Sequence, residues 1–181
     1  QYQIVESIEE SGDSWIYKGF QPSMNRYVAF EVIKSQDPVK VSAFNQQNVI
    51  LAQIQHANIM PILDSGSAEG LAYRVLPFIE NGVLRDHLFE YYDSRKAAGL
   101  ISGVAAGLEK IHAQGYVHGN LESGNIYLEA GGVPLLTDFG QPKSPNAPLT
   151  PYMSPEQTQG GVVDRRTDVY ALGVLLYEML T

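Results

Sequence analysis

The rhythm of hydrophobic positions changes near residue 80. Up to that point β-branched and aromatic residues come in short runs, Tyr2–Ile8, Trp15–Phe20 and Tyr27–Ile33, set between Gly, Ser, Pro and Asn. Runs of this kind between turn-formers predict strands, and the short spacers Asp13–Ser14 and Gln21–Asn25 predict three antiparallel ones. Val41–Gln55 then places Phe44, Ile50, Leu51 and Ile54 largely on one side of a helix. Two more strands are expected at Ile59–Ser65 and Leu71–Phe78, joined through residues 66–70. Beyond Glu80-Asn81-Gly82 the period becomes helical. A short helix is predicted at Val83–Glu90 and a long one at Ser94–Ala113, with Leu100, Ile101, Val104, Leu108 and Ile111 in phase and Gly115 as the stop. Short strands and loops follow from Tyr116 to Pro151, and a last helix begins near Asp168. The pattern is α+β: a β-rich part over residues 1–80, a helical part over 81–181, and a hinge near Pro77–Gly82.

Composition narrows the chemistry. Among 181 residues, 44% are hydrophobic, enough for a real core. A net charge of −8 argues against a nucleic-acid partner, which requires a basic face. There is no cysteine, so disulfides, thiol catalysis and thiolate metal sites are excluded. His56, His87, His112 and His118 lack metal-binding spacing. The apolar run at Ala171–Leu180 is interrupted by Glu178 and too short to span a bilayer. With no signal-like start either, the chain is expected to be cytoplasmic, without membrane insertion.

Three segments in order carry a more specific message. They are Val117-His118-Gly119-Asn120-Leu121-Glu122-Ser123-Gly124-Asn125-Ile126, then Asp138-Phe139-Gly140 after a short apolar strand, then Tyr152-Met153-Ser154-Pro155-Glu156-Gln157. Together they resemble the catalytic loop, metal-binding turn and A-P-E element of the Ser/Thr protein kinases, in the wording of the bacterial branch. Val28-Ala29-Phe30-Glu31 resembles the V-A-I-K strand, His56-Ala57-Asn58-Ile59 the H-P-N-I segment, and 164–173 the loop and helix after A-P-E. The resemblance covers nearly the whole chain and implies a two-lobe kinase-like fold. It also implies further helices beyond Thr181, among them an arginine partner for Glu156.

By that resemblance the machinery of phosphoryl transfer is altered position by position. Glu9, Ser11 and Ser14 stand where the phosphate-covering loop has glycines, with Gly12 out of place, which suits an ordinary hairpin turn better. Glu31 replaces the lysine that grips the phosphates. One charge pair at about 4 Å and an effective dielectric of about 20 is worth about 4 kcal/mol, so inverting the sign is a swing of several kcal/mol. Gln47 replaces the helix glutamate; a hydrogen bond between Gln47 and Glu31 is the expected substitute. Lys34 should turn away from Glu31's face, Lys18 should be solvated, and Arg74 is expected to be an exposed cation. Asn120 stands at the base position, where an amide cannot accept the substrate proton. Gly119 removes an arginine, and Glu122 replaces the second lysine.

Other positions are spared. Asn125 and Asp138 match the metal ligands; they serve either Mg²⁺ or Mn²⁺ or only loop geometry. Leu51, His118 and Phe139 match the hydrophobic stack of the family, with Asp168 as its anchor. Ile8, Ile16, Ala29, Leu76 and Ile79 match the walls and hinge of an adenine pocket, and Tyr127 takes the floor position, where it either stacks on a base or fills the space. The prolines at 142, 145, 148 and 151 suggest a static segment, and Ser144 and Thr150 are weak candidates for modification. The expectation is a pseudokinase domain, catalytically inactive and acting on protein partners as a scaffold or allosteric regulator. No cofactor is required, and ATP with Mg²⁺ or Mn²⁺ binds weakly if at all. The alternatives are an unconventional active Ser/Thr kinase and a nucleotide or metal sensor without turnover.

Overall fold

A computed structural model describes residues 2–11, 14–140 and 148–181. Gly12, Asp13, Pro142, Ser144 and Pro145, which entered the sequence reading, lie outside the described residues. The chain divides into two compact units, Gln1–Gln55 with Met60–Phe78, and His56–Ile59 with Ile79–Thr181.

The first unit is a five-stranded antiparallel sheet with one helix. Its strands are β1 (Gln3–Ser11), β2 (Ser14–Gln21), β3 (Arg26–Ile33), β4 (Asp64–Ala68) and β5 (Leu71–Pro77), in the order β1-β2-β3-β5-β4. The β1–β2 ladder continues to Ser11 opposite Ser14, so the hairpin expected in place of a glycine-rich loop is present up to the last described pair. Strand β4 differs from expectation. It is a polar edge strand that starts at Asp64 rather than Ile59, because Glu69 and Gly70 both take left-handed φ (53° and 81°) and close a tight hairpin that pairs Ala68 with Leu71. The apolar Ile59 instead bridges to Leu136 in the second unit's own small sheet.

Helix α1 (Pro38–Gln53) begins three residues earlier than its hydrophobic period suggests. Asp37 caps it by accepting from Val39 N at 2.9 Å, and Pro38 occupies the first turn, where its missing N–H costs nothing. Its inner face buries Phe44 and Leu51, but also the amides of Gln47 and Asn48.

The second unit is mainly helical: α2 (Ser94–Ala113), a short α3 (Pro155–Thr158) and α4 (Arg165–Leu180), with a 3₁₀ helix at Leu84–Tyr91 and a two-stranded ladder of β6 (Ile126–Leu128) and β7 (Pro134–Leu136). Asp93 caps α2 through Arg95 N and Lys96 N, and Asp164 caps α4 through Arg166 N. That cap moves the start of α4 back from Asp168 to Arg165. Gly115, at φ 80°, ends α2 as expected. Helix α2 approaches β7 at Gly107, where an added Cβ would stand 2.8 Å from Leu136 Cδ1 and 3.0 Å from the Asn58 carbonyl. A larger residue would push the helix off the ladder that carries the loops described next.

Candidate functional site

In the first unit the site is organised by a residue the sequence reading placed in solvent. Arg74 is 2% exposed, not an exposed cation. Antiparallel pairing of β3 and β5 puts it directly opposite Glu31. Its guanidinium meets one carboxylate oxygen of Glu31 through Nε at 2.6 Å and Nη2 at 2.5 Å. A further N–H of Arg74 donates to Gln47 Oε1 on α1 at 3.2 Å, and its Cζ lies 5.3 Å from the Phe44 ring centre. Arg74 thus joins Glu31 of β3 to Gln47 of α1. The signal was available: Arg74 shares the parity of the buried Ala72 on β5.

The two lysines behave differently. Lys34 pairs with Glu10 at 2.9 Å and lies near the Trp15 ring. Lys18 is not simply solvated: its Nζ sits 4.6 and 4.5 Å from the ring centres of Tyr27 and Phe78, with Glu6 at 3.6 Å. Of the adenine-pocket candidates in this unit, Ala29 pairs with Leu76 and Ile16 with Glu31 across neighbouring strands, while Ile8 is largely exposed on β1.

In the second unit the catalytic-loop segment hangs from Asp168. This fully buried carboxylate accepts from His118 N and Gly119 N, each at 2.8 Å, and meets His112 Nε2 at 2.7 Å. His118 and Phe139 are fully buried with ring centres 6.2 Å apart. Burial depresses the His118 pKa, against the opposing pull of Asp168 and Asp138. Its Nδ1 accepts from Asn120 N at 3.3 Å, while Nε2 is buried without a partner. Gly119 has φ 71°, a left-handed geometry that glycine adopts without strain. Its carbonyl accepts from Gln157 at 2.9 Å, which ties the loop to α3. Glu156 accepts from Thr167 at 2.8 Å. Burial and the Glu178 carboxylate raise the Tyr152 hydroxyl to about 12, and Tyr152 bonds both Glu178 and Ser123.

Asn120, at the base position, has its Oδ1 buried and without a donor. Asn125 Nδ2 donates to Asn120 O at 2.8 Å, and Thr137 N donates to Asn125 O at 3.1 Å, which brings the turn that follows beside Asn125. Asp138 takes φ 58°, and Gly140 N donates to His118 O at 3.1 Å. A left-handed aspartate costs about 1 kcal/mol, so the turn holds a conformation that the residue alone would avoid. Tyr127 lies on β6, opposite Leu135 and bridged to Val83, and Ile79 begins the long segment of the same unit. Among the described residues no group of three His, Asp or Glu side chains is placed to hold a metal ion. An amide oxygen and one carboxylate suit Mg²⁺ only when substrate phosphates supply further ligands. Asn125 and Asp138 are the residues that would hold it, and the ion would neutralise phosphate charge. On β3 of the first unit, the position at which the family carries a lysine holds the Glu31 carboxylate, whose charge repels phosphate.

A five-stranded sheet with one helix, a separate helical unit, a histidine loop hung from one buried aspartate, and a D-F-G turn bonded to that loop together define a protein-kinase-like fold. The chain belongs to the protein kinase domain family, whose model matches residues 2–181. It is 31% identical to a probable serine/threonine-protein kinase of Clostridium perfringens over 100% of this chain and 29% of that protein. It is 32% identical to another of Clostridium acetobutylicum, over 100% of this chain and 30% of that protein. Serine/threonine-protein kinase PknL of Mycobacterium tuberculosis is 29% identical over 100% of this chain and 49% of its own length. The chain thus spans less than a third of the clostridial relatives and about half of the mycobacterial one.

Proposed function

We propose that this kinase-family chain is a pseudokinase that works through protein contacts, as a scaffold or an allosteric regulator. The observation that carries the reading is the Glu31–Arg74 pair. The strand position that grips ATP phosphates in the family holds a carboxylate, and that carboxylate is engaged by a buried guanidinium at 2.5–2.6 Å. A phosphate approaching Glu31 meets repulsion, and drawing Arg74 toward it breaks a largely desolvated pair. Asn120 adds the loss of a general base. The relatives are named as serine/threonine-protein kinases, which favours the opposite reading, an active Ser/Thr kinase. Incubation with labelled ATP and Mg²⁺ or Mn²⁺ decides: no incorporation into chain or peptide is expected, and transfer abolished by Asp138→Ala would overturn the proposal.

A second reading is favoured by one observation: Asp138 keeps its left-handed geometry beside Asn125. On that reading the protein binds a metal–nucleotide without turnover. A thermal shift with ATP that requires the metal and disappears in Asp138→Ala supports it, whereas a shift of a degree or less opposes it.

A further inference from the structure

His87, on the 3₁₀ helix Leu84–Tyr91, holds both of its ring nitrogens against oxygens that only accept. Nε2 lies 2.7 Å from the Asn81 carbonyl oxygen, and Nδ1 lies 2.8 Å from Glu90 Oε1. A neutral imidazole has one N–H and one lone pair, so it satisfies one of these contacts and sets a lone pair against oxygen in the other. The two bonds together require the doubly protonated ring. Its carbonyl partner belongs to a tight turn at residues 79–82, where Gly82 N donates to Ile79 O at 3.2 Å and Gly82 takes φ 70°. That turn is fastened onward by Leu128 N to Gly82 O at 3.0 Å and Asn81 Nδ2 to Glu129 O at 3.4 Å. The bond to Glu90, then that to the Asn81 carbonyl, raise the His87 pKa above its ordinary value, and the charges of Glu90 and Asp86 add to them. Both carboxylates lie on the ring's own helix. On or beside the elements packed against it, α2, α4, β6 and the turn Ser123–Asn125, Glu122 meets Arg85, Asp168 meets His112 and Glu178 meets Tyr152.

We propose that His87 is a proton-operated clasp on the turn at residues 79–82, closed when the ring is charged and open at the Asn81 carbonyl when it is neutral. Acceptor charge decides which contact breaks. An N–H bond to a carboxylate is roughly twice as strong as one to a neutral carbonyl. With a single proton left, the ring keeps it on Nδ1 against Glu90. Nε2 then faces Asn81 O with a lone pair, and the ring leaves the turn. Because the folded pKa is raised, the clasp contributes fully below the unfolded value of about 6.5 and is lost as pH rises through the folded value. The His87 and Glu90 side chains are 28% and 47% exposed, so the effect falls on the local turn and not on the stability of the whole unit. The clasp does not depend on whether the chain binds nucleotide or transfers phosphate.

The test is ring-nitrogen and backbone-amide NMR of the chain, titrated from mildly acid to mildly alkaline solution without ATP. The His87 midpoint should lie above about 6.5, and the neutral ring should carry its proton on Nδ1. Exchange of the Gly82 and Leu128 amides, corrected for its intrinsic pH dependence, should quicken through the same midpoint. Glu90→Gln removes the charged acceptor, so the midpoint should drop and the neutral ring should carry its proton on Nε2. In His87→Phe the corrected exchange of both amides should show no step across this range. A midpoint at or below about 6.5, or a neutral ring protonated on Nε2 in the unaltered protein, would overturn the clasp. An amide step that persists in His87→Phe would overturn it as well, by showing that another group loosens the turn.

Discussion

Replacing Arg74 with methionine tests the charge arrangement of the first unit most directly. Methionine fills much of the arginine stem's volume but removes the guanidinium that contacts the Glu31 carboxylate and the N–H that Arg74 donates to Gln47 Oε1. Breaking a buried pair from one side costs about 3–5 kcal/mol, because the remaining charge stays desolvated. The Glu31 side chain is 20% exposed and regains some water, so the expected loss sits at the low end, about 3 kcal/mol. Replacing both residues, as Glu31→Met with Arg74→Met, removes the stranded charge and should restore stability to within about 1 kcal/mol of the parent. Trp15 makes the assay selective, since it is the chain's single tryptophan and lies on β2 of this unit. Urea unfolding followed by its fluorescence should show a midpoint roughly 1–2 M lower for Arg74→Met at an m-value of about 2 kcal/mol/M. Equal losses in the single and double variants would mean that packing, not charge, holds the position. A loss below about 1 kcal/mol in Arg74→Met would likewise refute the reasoning.

The second unit yields two further expectations. Asp168→Asn keeps the shape but turns one acceptor toward backbone N–H donors as a donor itself, leaving a buried group unpaired; urea unfolding followed by circular dichroism should show a loss of about 3 kcal/mol. For His118 the folded pKa is depressed, so the unfolded chain binds the proton better. Stability therefore falls as pH drops below the unfolded value of about 6.5 toward the folded value, and is flat with respect to this group above 6.5. A ring-carbon NMR titration should find the His118 midpoint below the free value of about 6.5, and a midpoint at or above 6.5 would contradict its burial.

Much of this architecture was legible because local rules and packing agree. Helix α2 was readable to its ends: its apolar positions repeat with the helical period, and Asp93 and Gly115 punctuate it. The starts of α1 and α4 were missed because Asp37 and Asp164 set them through capping, while the hydrophobic phase registers only a turn later. Strand β4 was misplaced because its apolar neighbour Ile59 is buried elsewhere and its own pairing rests on a left-handed turn, not on side chains.

By the family resemblance, the residues alone placed Glu31 and Glu122 where the family has lysines, Gln47 where it has the helix glutamate and Asn120 at the base position. By the same resemblance Asn125, Asp138, His118 and Asp168 match the family's residues. Only the tertiary structure decided what the altered residues do. Strand parity assigns Arg74 a face, but not the partner it finds there; the register of β3 against β5 sets it opposite Glu31, and the docking of α1 brings Gln47 to it. A buried charge is tolerated only where folding delivers its counter-charge within contact distance, and that pairing joins residues 43 positions apart.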